Sequence, residues 1–295
     1  MSKDTVIFDI TLGVGIYTCW LALVMYGDSL PLAALFILGG YISGLHGSFQ
    51  HIAVHGYPTR CEWFNTLLVY PPLSLYYPYQ TYRDSHLEHH RVDVLTDVET
   101  DPESIYLTRE QFDHLGQFGK WLYRFNFTLA GRLLIGPFIS LFHLWKSELK
   151  FIVAGDTQRL RIWSIHAIWC AGILMFVQLS GLPVWKFLLC FVYPGISLIL
   201  FRSYTEHRWS PAQDERSLIV EGSFLTRLLY LNNNYHWVHH ENPGLPWRML
   251  PEVFNQRKDE ILRRNGNFYY RGYSDILKRL WKDKLIDPVH PRQAH

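Results

Sequence analysis

The chain opens on apolar residues: IFDITLGVGIYTCWLALVMY, residues 7 to 26, has the length of a membrane span and one charge, Asp9, close to one end. The competing reading, a cleavable signal peptide, is disfavoured because only Lys3 stands against Asp4 in the leading segment and no small-residue cleavage site follows cleanly. After the break GDSL comes a second apolar run rich in small residues, which permit close helix packing in a bilayer. Two further runs, from 161 and from 182, are separated by little more than Gly-Leu-Pro. The pattern predicts spans over about 7–26, 31–55, 161–181 and 182–203, paired into two hairpins. Pro194 and Gly195 inside the last run predict a kink that neighbouring helices can accommodate.

Two other stretches, 66–80 and 128–146, are apolar but broken by proline or charge, so each either lies in the membrane interface or re-enters it. Segments 80–127 and 204–295 are polar, and RKDEILRRNGN and LKRLWKDKLID read as cytosolic helices. The fold class expected is therefore an all-α integral membrane protein. It has about four transmembrane helices in two hairpins, interfacial helices and a cytosolic helical cap, as one domain over 1–295. The tight hairpin links lack Lys and Arg, whereas Arg60, Arg83, Arg91, Arg159, Arg161, Arg202 and Arg208 lie on the other side, which the positive-inside rule makes cytoplasmic. Lys186 is the basic residue near the outer face, where it can snorkel. The expected location is a bacterial inner membrane, with both termini on the cytoplasmic side.

Composition agrees with this picture. Aromatic residues make up 16% of the chain, with 11 Trp and 18 Tyr, residue types suited to membrane interfaces. Trp20, Tyr26, Trp169 and Trp185 read as such anchors or as helix packing. The 28 basic and 26 acidic side chains leave a formal charge of +2, which excludes the broad basic surface of a nucleic-acid binder. Cys19, Cys61, Cys170 and Cys190 have no paired spacing and read as buried thiols.

The chemistry lies in the histidines. His51 and His55 in HIAVH are four residues apart, on one helix face at the end of the second span. HLEHH supplies His86, His89 and His90, and HWVHH supplies His236, His239 and His240. In both, the first histidine is three and four residues from the others, so a helix aims the group at one region. His207 follows the fourth span directly. Nine neutral imidazoles exceed what one tetrahedral zinc can use, so two first-row transition metals are the economical reading. Iron is favoured, because a multi-imidazole site with open positions can bind and reduce oxygen, which a redox-silent ion cannot do. A metal site at the cytoplasmic ends of the spans follows.

These three boxes, HIAVH, HLEHH and HWVHHENPGLPW, resemble the signature of the integral-membrane fatty-acid desaturase and hydroxylase superfamily: HxxxH, HxxHH and HxxHH. The likeness runs from 51 to 247, with paired spans before and between the boxes. By that resemblance His51 and His55 match the first box, His86, His89 and His90 the second, and His236, His239 and His240 the third. His207 matches the additional histidine from the end of the fourth span. The resemblance implies a di-iron centre and electrons from a ferredoxin, rubredoxin or cytochrome donor. It further implies use of O2 to remove hydrogen from, or hydroxylate, an unactivated C–H bond of a fatty-acyl, lipid or lipid-like substrate. Desaturation is the expected outcome; hydroxylation, or ketolation of a carotenoid, alkyl or small-metabolite substrate, is the enzymatic alternative. A metal transporter is the remote one, and it would place its ligands nearer the bilayer midplane.

Several neighbours have two readings. Glu88, Glu241 and Asn232 are candidates to orient ligands or to hydrogen-bond a metal-bound water. Asp93, Asp97, Glu99, Asp101 and Glu103 either accept imidazole N–H groups or form a solvated loop. Two of Asn232, Asn233 and Asn234 are expected to cap the third-box helix. His46 is an alternative partner for His51. His114, His143, His166, His290 and His295 are expected to be ordinary polar residues.

Overall fold

The computed structural model describes residues 3–284 and 286–293, so His295 lies outside the described residues. The chain is mostly helical, and its sheet is one parallel pair, Ile219–Val220 against Tyr269–Tyr270. Four helical stretches are long and apolar enough to cross a membrane: Lys3–Ser29, Leu32–Val54, Thr157–Leu179 and Val184–Glu206. The chain is an all-α integral membrane protein. The turns fall where the sequence places them, the first at Gly27–Ser29 and the second around Gly181, whose φ of +85° suits glycine, and Pro183.

The residues divide into two compact units, one of residues 1–83 and 137–199, the other of 84–136 and 200–295. In the first unit the Leu32–Val54 helix is the buried one, enclosed along its later half from Ile42 to Val54. Its packing against the fourth span depends on small residues: a Cβ on Gly39 would lie 2.6 Å from the Cys190 carbonyl oxygen, and one on Gly195 would lie 2.6 Å from the Ser43 Cβ. The fourth span carries Pro194 and Gly195 inside its helix. It widens into a π-helical stretch over Leu188–Val192 just before Pro194, which relieves the clash between the proline ring and the carbonyl four residues earlier.

The two ambiguous stretches are resolved as short elements. Residues 66–80 contain the end of the Glu62–Val69 helix, a non-helical run in which Leu75 has a positive φ, and the start of the Tyr79–His89 helix. Residues 128–146 split into Leu129–Leu134 and the start of Gly136–Val153. The latter helix carries Lys146, Glu148 and Lys150 and exposes Phe138, Phe142, Trp145 and Leu149, spaced as one face.

The second unit is built from short helices around a core that includes Ile219, Phe254, Ile261 and Ile276, all fully buried. Two short backbone pairings hold the metal-ligand region. His207 bridges Ser217 antiparallel, and the Trp237 N–H donates to the Leu218 carbonyl, so residues 217–220 tie His207 to the third-box helix. Arg216, only 2% exposed, donates from Nε to the Ser210 carbonyl and from Nη1 to the Leu95 carbonyl, fixing the loop after the second box.

Replacing Gly39 with Ala is expected to destabilise the protein by about 1–3 kcal/mol, the usual cost of overpacking. Gly15→Ala, where a Cβ meets nothing within 4 Å, is expected to be neutral; thermal unfolding of the two variants in detergent checks the contrast.

Candidate metal centre

Two groups of imidazoles meet inside the second unit. In the first, the Nε2 atoms of His89 and His207 are 3.1 Å apart, those of His207 and His236 2.9 Å, and those of His236 and His240 3.0 Å. In the second, Nε2 of His90 lies 3.1 Å from that of His86 and 3.2 Å from that of His239. The helical spacing explains the sorting. His86 and His90, like His236 and His240, are one turn apart and converge, while His89 and His239 point to the neighbouring group.

What these nitrogens are doing follows from the opposite side of each ring. Nδ1 of His89 is 2.8 Å from an Asp101 carboxylate oxygen, and Nδ1 of His86 is 2.8 Å from Glu103. Nδ1 of His207 faces the Arg216 carbonyl at 3.3 Å, and Nδ1 of His236 faces Asn233 Oδ1 at 3.4 Å and Glu206 at 3.5 Å. Carboxylates and carbonyls accept only, so each of these Nδ1 atoms carries a proton, and a ring that holds no second proton presents an Nε2 lone pair. Lone pairs held this close repel one another unless a cation lies among them. Nitrogens about 2.1 Å from one ion lie about 3.0 Å apart at right angles and about 3.4 Å apart at tetrahedral angles. The spacings above lie nearer the right-angle value, and the donor set suits a first-row transition metal.

The protonation balance points the same way. Burial and the neighbouring imidazoles push His236 and His240 well below the ordinary histidine range and His207 down to about 3, leaving three neutral donors. Burial also disfavours the charged form of His89, but Glu103, Asp101 and Glu206 outweigh it and raise His89 to about 9. Burial likewise opposes ionisation of Glu103, yet His86 and His89 beside it hold it well below the usual carboxylate range. The acidic surroundings thus place positive charge where the nitrogens meet.

The carboxylates that orient these rings come from the acidic loop and from the residue before His207. The loop is folded on itself: Asp101, 4% exposed, accepts from the Thr96 and Glu103 N–H groups while holding His89. Glu206 accepts from Asn233 Nδ2 at 2.6 Å and forms an ion pair with Arg202, whose Nε lies 2.9 Å away. Glu88 and Glu241 do not take this role. Glu88 faces Arg91 at the exposed surface, and Glu241 pairs with Arg257 and Arg264. A residue directly before or after a helical ligand projects on a different face, which is why adjacency in sequence misleads here. Asn232 also serves the backbone fold, accepting from Arg227 Nε and donating to the Trp247 carbonyl. The expected asparagine caps are absent: the N-cap of the His236–Glu241 helix is Tyr235, Asn233 turns to Glu206, and Asn234 donates to the Val220 carbonyl.

In the first unit, His51 and His55 form a pair at the end of the Leu32–Val54 helix, their ring centroids 5.0 Å apart and nearly perpendicular. His46 belongs elsewhere: its Nε2 faces the Tyr17 hydroxyl at 3.3 Å, and that hydroxyl donates to the Leu68 carbonyl. His166 packs against Trp163 and Cys170, and His290 against Tyr106 and Trp209. A cavity of about 230 Å³ lies beside the second unit's imidazoles, lined by His89, His90, His240, Ser217, Trp237 and Asp214 among others.

The model of the fatty acid desaturase family matches residues 28–273. The chain belongs to the fatty acid desaturase family. No curated protein is a match for it. Membership makes this desaturase-family chain an oxidoreductase of the desaturase and hydroxylase type and accounts for its clustered histidines as a metal site.

Because His89 holds a proton up to about pH 9, a metal entering its group must displace that proton. Metal affinity at this group is therefore expected to rise with pH until about 9, with one proton released per ion bound near neutrality; calorimetry in buffers of different ionisation enthalpy reads it. Asp101→Asn is expected to weaken metal binding by about 10–100-fold, the range for a partner of a ligating histidine, whereas Glu88→Gln leaves it unchanged in the same titration.

Proposed function

We propose that this protein is a membrane-bound, non-haem di-iron enzyme that uses O2 and external electrons to desaturate a fatty-acyl or similar lipid-like substrate. The observation that carries the reading is the meeting of imidazole Nε2 atoms 2.9–3.2 Å apart in two groups. His89, His207, His236 and His240 would hold one ion. His86, His90 and His239 would hold the other, and His51 and His55 are proposed as ligands because they match the first histidine box of the family. An imidazole-rich set with open positions favours a redox-active ion over a structural zinc. Iron bound there would pass electrons from an external donor to O2 and offer the position at which O2 is activated against an unactivated C–H bond.

The chain's own residues supply orientation and charge. Asp101 and Glu103 hold the Nδ1 protons of His89 and His86, which fixes both rings and raises the donor strength of their Nε2 atoms. Glu206, anchored by Arg202 and Asn233, does the same work at His236. The cavity beside His90 and His240 gives a polar approach, bounded by Ser217, Asp214 and Trp237, that suits water and protons and not an acyl chain. The hydrocarbon substrate would therefore come from the apolar side. Electrons would come from a ferredoxin, rubredoxin or cytochrome carrier. The distribution of arginines supports a cytoplasmic metal site and cytoplasmic termini in a bacterial inner membrane.

Purified protein is expected to retain about two iron ions per chain, consistent with the count of imidazole donors. His239→Ala is expected to remove oxygen-dependent turnover while leaving the protein folded, and mass spectrometry of the lipid product distinguishes loss of two hydrogens from gain of one oxygen. No retained redox metal, or unchanged turnover in His239→Ala, would overturn the reading.

A further inference from the structure

The second unit carries an exposed aromatic and basic surface that the metal chemistry does not use. Along the Gln117–Asn126 helix, Phe118, Trp121 and Phe125 stack in succession, with ring centroids 5.9 and 5.7 Å apart. Phe118 is 73% exposed and Trp121 56%. The adjoining Leu129–Leu134 helix is held close because Gly131 lies against the Phe125 carbonyl with no room for a Cβ, and it exposes Leu134. The Ala130 N–H donates to the Trp281 carbonyl at 3.2 Å, and Thr128 pairs with Lys284. The stretch LKRLWKDK, residues 277 to 284, thereby continues the same surface. It exposes Leu277 and Trp281 and holds four bases against one acid. The Tyr273–Leu280 helix that leads into it buries Tyr273, Ile276 and Leu280 on the opposite face.

A water-facing surface would not favour three stacked aromatic rings, and a protein interface core is poor in lysine. Exposed Trp and Phe interleaved with Lys and Arg match the boundary of a bilayer, where rings sit at headgroup depth and bases meet anionic lipid. The chain is already in a membrane through its four spans, so a bilayer surface is the available partner. We propose that helix Gln117–Asn126 and residues 277–284 form a peripheral lipid-binding face that seats the second unit on anionic phospholipid. This replaces the expectation that both segments are wholly cytosolic.

The test uses the full-length protein in vesicles of mixed phosphatidylglycerol and phosphatidylcholine. Subtracting the emission of W121F, and separately of W281F, from wild type isolates each tryptophan. Both differences are expected to lose at least about half their intensity when the lipid is brominated near its headgroup, and little with aqueous acrylamide. At equal mole fraction, brominated phosphatidylglycerol is expected to quench more than brominated phosphatidylcholine, a preference that K278E/K282E removes. Quenching by acrylamide alone would show a water-facing surface and overturn the proposal. Quenching by neither agent would show a protein partner, such as a second copy, and overturn it as well. Equal quenching by the two lipids would overturn the assignment to an anionic surface. Thermal unfolding of each variant confirms that the comparison is made on folded protein.

Discussion

Imidazole lone pairs do not gather voluntarily. In the second unit, seven Nε2 atoms are brought together in two groups, an arrangement that a cation at the centre of each stabilises. The structure accepts that constraint in its wiring. Acceptors on the far side of the rings, buried Asp101, half-buried Glu103 and the Arg216 carbonyl, choose the tautomer that turns the lone pairs inward. The same carboxylates drive His89 to hold a proton when no other cation is present.

That wiring explains features with no direct chemical role. Arg216 is a large, fully charged side chain placed at 2% exposure, which is costly unless every donor finds an acceptor. It fixes the Leu95 carbonyl and, through its own backbone, the ring of His207, so one residue joins the acidic loop to the additional histidine. Residues 217–220 run between His207 and the third-box helix for the same reason. The loop after the second box is therefore a structural support whose short acidic side chains reach ligands, although its composition is that of a solvated segment.

The spans, hairpin turns and ligand histidines were legible because each rests on local periodicity: apolar length for the spans, and the three- and four-residue spacing for the boxes. The family match over residues 28–273 agrees with the resemblance that those boxes carry. The residues that orient the rings were less legible, because a hydrogen bond between His86 and Glu103 or His89 and Asp101 joins positions that only the tertiary fold brings together. Glu88 and Glu241 look closer in sequence and are turned away by the helix. Nor did Pro194 announce the π-helical stretch before it, since a widened turn and a kink answer the same steric problem. The aromatic face of the second unit was hidden by the polar average of its segments.

The central claim is that the clustered imidazoles are direct ligands of redox-active metal. X-ray absorption at the iron edge of the loaded protein tests it most directly. The account predicts nitrogen scatterers at about 2.1 Å with outer-shell scattering from several imidazole rings per metal. A first shell dominated by sulfur, or one with fewer than about two imidazoles per metal, would contradict it.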